Sequence, residues 1–87
     1  MSDTIRYRLF TENKANLTEL TARFFHGATL YHAIGLWKGQ MEMSRVIEVF
    51  GTSADQCRIR ELAQQIRETN QQESVYVEVT PVTVFTL

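Results

Sequence analysis

The stretch Ala28-Thr29-Leu30-Tyr31-His32-Ala33-Ile34-Gly35-Leu36-Trp37, followed by Lys38-Gly39-Gln40 and then Met41-Glu42-Met43-Ser44-Arg45-Val46-Ile47-Glu48-Val49-Phe50, decides the fold. Leu30, His32, Ile34 and Leu36 alternate with Tyr31, Ala33, Gly35 and Trp37, the period of two that marks a strand. Lys38-Gly39-Gln40 reads as a hairpin turn, because Gly39 takes the positive φ that tight hairpins need. From about Met41 to Phe50 a second strand returns. Its faces stay open: Arg45, Ile47 and Val49 alternate against Val46, Glu48 and Phe50, and a bulge between Ser44 and Val46 would switch them.

Working outward, each side of this hairpin shows a helix and then a strand. On the N-terminal side, Leu17, Leu20, Thr21 and Phe24 share one helical face. Asn16 with Glu19 suggests a capping box at its start, and Gly27 a left-handed stop at its end. Before it, Ile5, Tyr7 and Leu9 alternate with Arg6, Arg8 and Phe10 in a strand over roughly Thr4 to Thr11. On the C-terminal side, Ser53 with Gln56 reads as a second capping box opening a helix from Ala54 to Asn70. Its buried stripe is Ile59, Leu62, Ala63 and Ile66, with Cys57, Arg60, Gln64 and Arg67 away from it. A last strand over Ser74 to Thr80 turns Val75, Val77 and Val79 inward, and Pro81 marks an edge, a bulge or a break.

The order is βαββαβ, so the expected fold is ferredoxin-like α+β: an antiparallel sheet with two helices on one face. It spans residues 1–87 as a single domain, with an extra C-terminal β segment over Val82 to Leu87. That segment is apolar and rich in β-formers, so Val82, Val84, Phe85 and Leu87 are expected to pair with the chain's own sheet or a neighbouring subunit.

Composition narrows the function classes. An 87-residue chain buries roughly 60–65% of its unfolded surface, which leaves modest stability and favours oligomerisation. A net charge of -1 supplies no long-range pull on nucleic acid or anionic membrane. One cysteine excludes an internal disulfide and a cysteine-based zinc site. The polar start Met1 to Thr4 does not read as a leader, and no apolar run approaches the ~18 residues a membrane helix requires, so the expected compartment is the cytoplasm.

Motifs for catalysis are missing: there is no nucleophile elbow, phosphate loop or Rossmann glycine pattern. His32, mid-strand among apolar neighbours, is the one acid/base candidate, and a packed core or interface histidine is its plainer reading. His26 reads as a helix-end charge and Cys57 as an inert surface thiol. No spacing such as HxH points to a metal site, and no cofactor is indicated. The face that two helices leave uncovered is richer. It carries Arg6, Arg8, Tyr31, Trp37, Glu48, Tyr76 and Glu78, with Lys38 at its tip, and this mixture of aromatics and opposed charges suits ligand binding or a subunit interface. Glu48 and Glu78 argue against RNA phosphates there, and the aromatic spacing of RNA-recognition motifs is absent.

The strand and helix order resembles two groups of ferredoxin-like proteins. One is the nitrogen-regulatory trimeric signalling proteins, whose resemblance implies nucleotide bound between subunits. They carry a long loop where this chain has Lys38-Gly39-Gln40. The other is the dimeric α+β barrels, some of them monooxygenases. Gly35-Leu36-Trp37 through Arg45-Val46-Ile47-Glu48-Val49, and Ile66 to Val77 with Gln72-Glu73-Ser74-Val75, also look like a family of small uncharacterised bacterial and phage proteins. The expected function is thus a non-catalytic homo-oligomeric module, dimer or trimer, binding a small ligand (nucleotide-like on the first resemblance) or a protein. Two alternatives stand beside it: a small dimeric barrel enzyme using His32, and a phage- or plasmid-type protein that inhibits a host macromolecule.

Overall fold

The structure, a computed structural model, describes residues 3–87; Met1 and Ser2, which begin the polar start considered above, lie outside the described residues. The elements are β1 (Ile5–Glu12), α1 (Leu17–Ala22), β2 (Thr29–Trp37), β3 (Gln40–Gly51), α2 (Gln56–Thr69) and β4 (Tyr76–Pro81), with one 3-10 turn over Ser53–Asp55 leading into α2. The four strands form one sheet in the order β2-β3-β1-β4, and every neighbouring pair is antiparallel. This is the ferredoxin-like α+β arrangement.

Alternation along β1 builds the core. Tyr7 and Leu9 face the helices, opposite Val49 and Ile47 of β3, and meet Leu17 and Leu20 of α1 with Ile59, Leu62, Ala63 and Ile66 of α2. All of these side chains are buried. The α2 stripe is the one its sequence spacing predicts. Pro81 sits in register with Ile5 at the end of the edge strand β4, where its missing donor costs nothing.

Four local readings are corrected. The register of β3 runs unbroken from Gly51 opposite Ile5 to Gln40 opposite Trp37, so there is no bulge, and Arg45, Ile47 and Val49 face the helices. Helix α1 is shorter than its apolar pattern, and Gly27 does not take a positive φ. The Asn16 side chain does not cap α1; it exchanges amide hydrogen bonds with Asn70 at 3.0 and 3.1 Å, tying the start of α1 to the end of α2. The second capping box lies one residue earlier than Ser53. Thr52 Oγ1 accepts from the Ala54 N–H at 3.2 Å, while the Asp55 carboxylate accepts from the Thr52 N–H at 2.8 Å.

That cap is locked from two sides. The buried Tyr7 hydroxyl donates to the Thr52 carbonyl at 2.6 Å, joining the middle of β1 to the junction of β3 and α2. Gly51 leaves the space that the Asp55 carboxylate occupies, since a Cβ there would overlap Oδ2 and lie 3.0 Å from Cγ. Arg58 pairs with Asp55 and also donates to the Phe24 carbonyl at 2.9 Å, with its guanidinium 4.8 Å from the Phe25 ring centroid. The Thr52 N–H, and then Arg58, hold the Asp55 carboxyl below its ordinary value near 3.8.

The far end of α2 closes with the pattern of a Schellman motif. The Gln72 N–H donates to the Arg67 carbonyl at 2.9 Å and the Gln71 N–H to Glu68 at 3.3 Å. Gln71 occupies the left-handed position with φ of 53°, where glycine is ordinarily preferred.

Three outcomes follow from these contacts. Tyr7→Phe keeps the packing and loses one hydrogen bond, so chemical denaturation should show a loss of about 1 kcal/mol. Gln71→Gly relieves the left-handed strain and should raise stability by up to about 1 kcal/mol in the same assay. A depressed folded pKa means that Asp55 contributes stability above pH 3.8, lost as pH falls through the folded value, so Asp55→Asn should flatten the acid limb of a thermal-melt series.

Candidate functional site

The side of the sheet away from the helices divides into two zones. In the first, Arg8 of β1 lies directly across from Glu48 of β3 and Glu78 of β4. Its Nε meets Glu48 at 2.7 Å and its Nη1 stands 3.9 Å from Glu78, while Arg6 Nη2 reaches Glu78 at 3.2 Å. The Tyr31 hydroxyl lies 3.5 Å from the same Glu48 carboxylate. Arg8 is raised above its ordinary pKa, first by its hydrogen bond to Glu48. Two guanidinium groups and two carboxylates therefore neutralise one another across three strands. Both arginines face carboxylates, and the buried Arg6 Nε has no hydrogen-bond partner among the described residues.

The second zone exists because the strands differ in length. The pairing of β1 with β3 stops at Glu12 opposite Ser44, but the β2–β3 hairpin continues through four further pairs, from Ile34–Met43 to Trp37–Gln40. Lys38 and Gly39 at its tip both have positive φ, 51° and 78°, the two-residue turn that matches strand twist. This arm carries Ile34, Leu36, Met41 and Met43 on the helix-side face beyond the reach of either helix, and three of them are at least 69% exposed. Where β1 ends beside the arm, a cleft of about 350 Å³ opens. Phe10, Trp37 and Tyr76 line it together with Ala33, Gly35, Ser44 and Val46, and Glu12, Glu42 and Glu73 are set around it. Its floor includes the buried Gln72, whose amide clasps the Thr11 hydroxyl at 2.8–3.0 Å and accepts from the Glu12 N–H at 3.1 Å.

The predicted residues thus fall into separate places. Arg6, Arg8, Tyr31, Glu48 and Glu78 come together in the charge ladder, and Trp37 and Tyr76 line the cleft. Lys38 sits in the turn, with its Nζ 5.8 Å from the Trp37 ring centroid. His32 lies on the opposite, helix-side face of β2, exposed and across from Arg45, and lines neither cleft. Of the tail, the Val82 N–H donates to the Thr4 carbonyl at 3.1 Å, whereas Val84, Phe85 and Leu87 are exposed. Val77 and Val79 face inward as expected, yet α2 does not reach this edge of the sheet, so they border an open groove with Ile59 and Ala63. The cleft residues Phe10, Glu12, Glu42, Gln72 and Glu73 escape sequence reasoning, because only the register shows that β1 ends short of the hairpin.

Among the described residues, no three His, Cys, Asp or Glu side chains converge to hold a metal ion, and no helix is long and apolar enough to cross a membrane. No protein-family model and no curated protein matches the chain. Among solved structures, a DUF3240 family protein from Shewanella baltica OS155 is similar over 100% of this chain and 99% of its own, with a TM-score of 0.74 at 17% identity. DUF3240 is an uncharacterised family, and a likeness at this identity speaks to the fold alone.

Removing the shared member of the ladder tests its role. Arg8→Ala should leave the circular-dichroism spectrum native and lower the melting temperature, and that difference should shrink as sodium chloride is raised, since exposed ion pairs are screened.

Proposed function

We propose that this chain is a non-catalytic homo-oligomeric binding module, in which the hairpin arm and the C-terminal tail assemble subunits and the open sheet face holds a ligand. The observation that carries the reading is the arm. It places Ile34, Leu36, Met41 and Met43 together in water, while the exposed Val84, Phe85 and Leu87 form a separate apolar stretch after Val82, whose N–H pairs with Thr4 at the other end of β1. Contiguous apolar surface on a small protein marks an interaction site. The outer edge of β3 along the arm pairs with no strand of its own chain, which suits it to receive one from another copy. Arg6, Arg8, Glu48 and Glu78 organise the sheet face, while Trp37, Tyr76 and Phe10 supply stacking area.

The acid/base alternative draws no support from either cleft, because His32 is exposed and lines neither of them. The inhibitor alternative uses the same arm against a different macromolecule and predicts a monomer. Native mass spectrometry separates them. A dimer or trimer is expected, and the pair Ile34→Glu with Met41→Glu should reduce it to a folded monomer, since neither side chain belongs to the core. A wild-type chain that stays monomeric at micromolar concentration overturns the homo-oligomeric reading.

A further inference from the structure

The arm cleft has a composition that selects its ligand. Three carboxylates, Glu12, Glu42 and Glu73, stand around it, and no Lys, Arg or His is among its described lining residues. Glu12 has Lys14 at 3.5 Å, whereas Glu42 and Glu73 have no ion-pair partner among the described residues. Three aromatics, Phe10, Trp37 and Tyr76, complete it, each at least 39% exposed and so available to a ligand. The neighbouring guanidinium groups are spent on Glu48 and Glu78, and the Gln72 amide at the floor is spent on Thr11 and Glu12. A phosphate would find three carboxylates here and no cationic side chain among the described lining residues, only neutral donors such as Ser44 and Trp37.

We propose that the cleft binds a small organic cation with an apolar body, such as an aryl- or alkylammonium compound. This rests on the reading of the chain as a ligand-binding module and replaces the nucleotide-like ligand with one of opposite charge. A metal ion does not fit, because the carboxylates do not converge on one point. A spread cation fits better. Its charge is drawn by carboxylates along the rim and by ring faces inside, and its hydrocarbon part covers Phe10 and Val46. Trp37 already shows the preference, holding the Lys38 ammonium at 5.8 Å from its ring centroid. The volume of about 350 Å³ lies at the small end of ligand pockets, which suits a compact amine.

The chain holds one tryptophan, so the intrinsic fluorescence of Trp37 reports on this cleft directly. The probe is benzyltrimethylammonium, with benzyl alcohol as neutral control and adenosine monophosphate as anion. A ligand of this size should give a saturable change at about 1 mM, with neither control matching it. Glu42→Gln with Glu73→Gln should weaken binding about tenfold, taking two exposed charge contacts together. Gly35→Leu offers a cleft-filling variant: a Cβ at this position meets Ser44 Oγ and Glu42 Cγ at the ordinary distances of 3.7 and 3.8 Å, so binding should vanish in a variant whose circular-dichroism spectrum stays native. Lys38→Asn removes the competing ammonium and keeps a favourable Asn-Gly turn, so it should tighten binding, an effect that a merely structural lysine would not produce. Equal binding of either control, an unchanged affinity in Gly35→Leu, or no saturable change overturns the inference. Subunit number measured on the same samples keeps the two readings distinct: an oligomer that ignores the cation sinks only this inference, and a monomer that binds it sinks only the assembly.

Discussion

The hydrogen bond from the Tyr7 hydroxyl to the Thr52 carbonyl is the contact on which the architecture turns. It runs from the centre of the buried sheet to the point where β3 gives way to α2, and its donor is held in place by complete burial. Burial first, and the Asp55 carboxylate second, push the Tyr7 pKa upward, so the hydroxyl keeps its proton for this bond. Thr52 in turn presents its N–H to Asp55, and Asp55 fits because Gly51 carries no side chain. Arg58 extends the chain of contacts to Phe24 and Phe25 just after α1. One tyrosine thereby sets where the second helix begins and, through that helix, where the first one rests.

Much of this fold is legible in the sequence, for physical reasons that differ by element. The faces of β2 and β4 follow from strict alternation, and the α2 stripe from spacing of three and four residues. The box leading into α2 is misread as Ser53 with Gln56 because Thr52-to-Asp55 offers the same chemistry one residue earlier. Only the long-range bond from Tyr7 and the space at Gly51 choose between them. Asn16 misleads for a related reason: a good capping side chain finds Asn70, fifty-four positions away, a better partner. The face of β3 was undecided because Arg45 and Glu48 blur its alternation; pairing with β1 resolves it. The cleft lay beyond reach altogether. It arises from β1 being shorter than the hairpin, a relation between strands and not a property of any one of them.

The open face shows how charge can organise a surface without exporting a field. Arg8 lies between two glutamates across the sheet, and Arg6 shares one of them. Such a ladder holds the Tyr31 hydroxyl beside Glu48 and exerts little pull on solution, since its charges cancel over a few ångströms. The unbalanced charge lies farther along, at Glu42 and Glu73 beside the arm. The paired charges and the unpaired carboxylates are therefore spatially separate.

The protruding hairpin has a consequence for how such a protein diversifies. Its outer apolar residues Ile34, Leu36, Met41 and Met43 are exposed, outside the buried core, and the two-residue turn at Lys38-Gly39 closes the ribbon. Substitutions there escape the packing constraints that bind Tyr7, Leu9 or Ile47, so the arm can drift rapidly through sequence space while the scaffold stays put. Distant homologues would then agree in backbone and disagree in specificity. Shared ancestry in this fold would be readable from the sheet and helices rather than from the ten residues of ribbon between Ile34 and Met43.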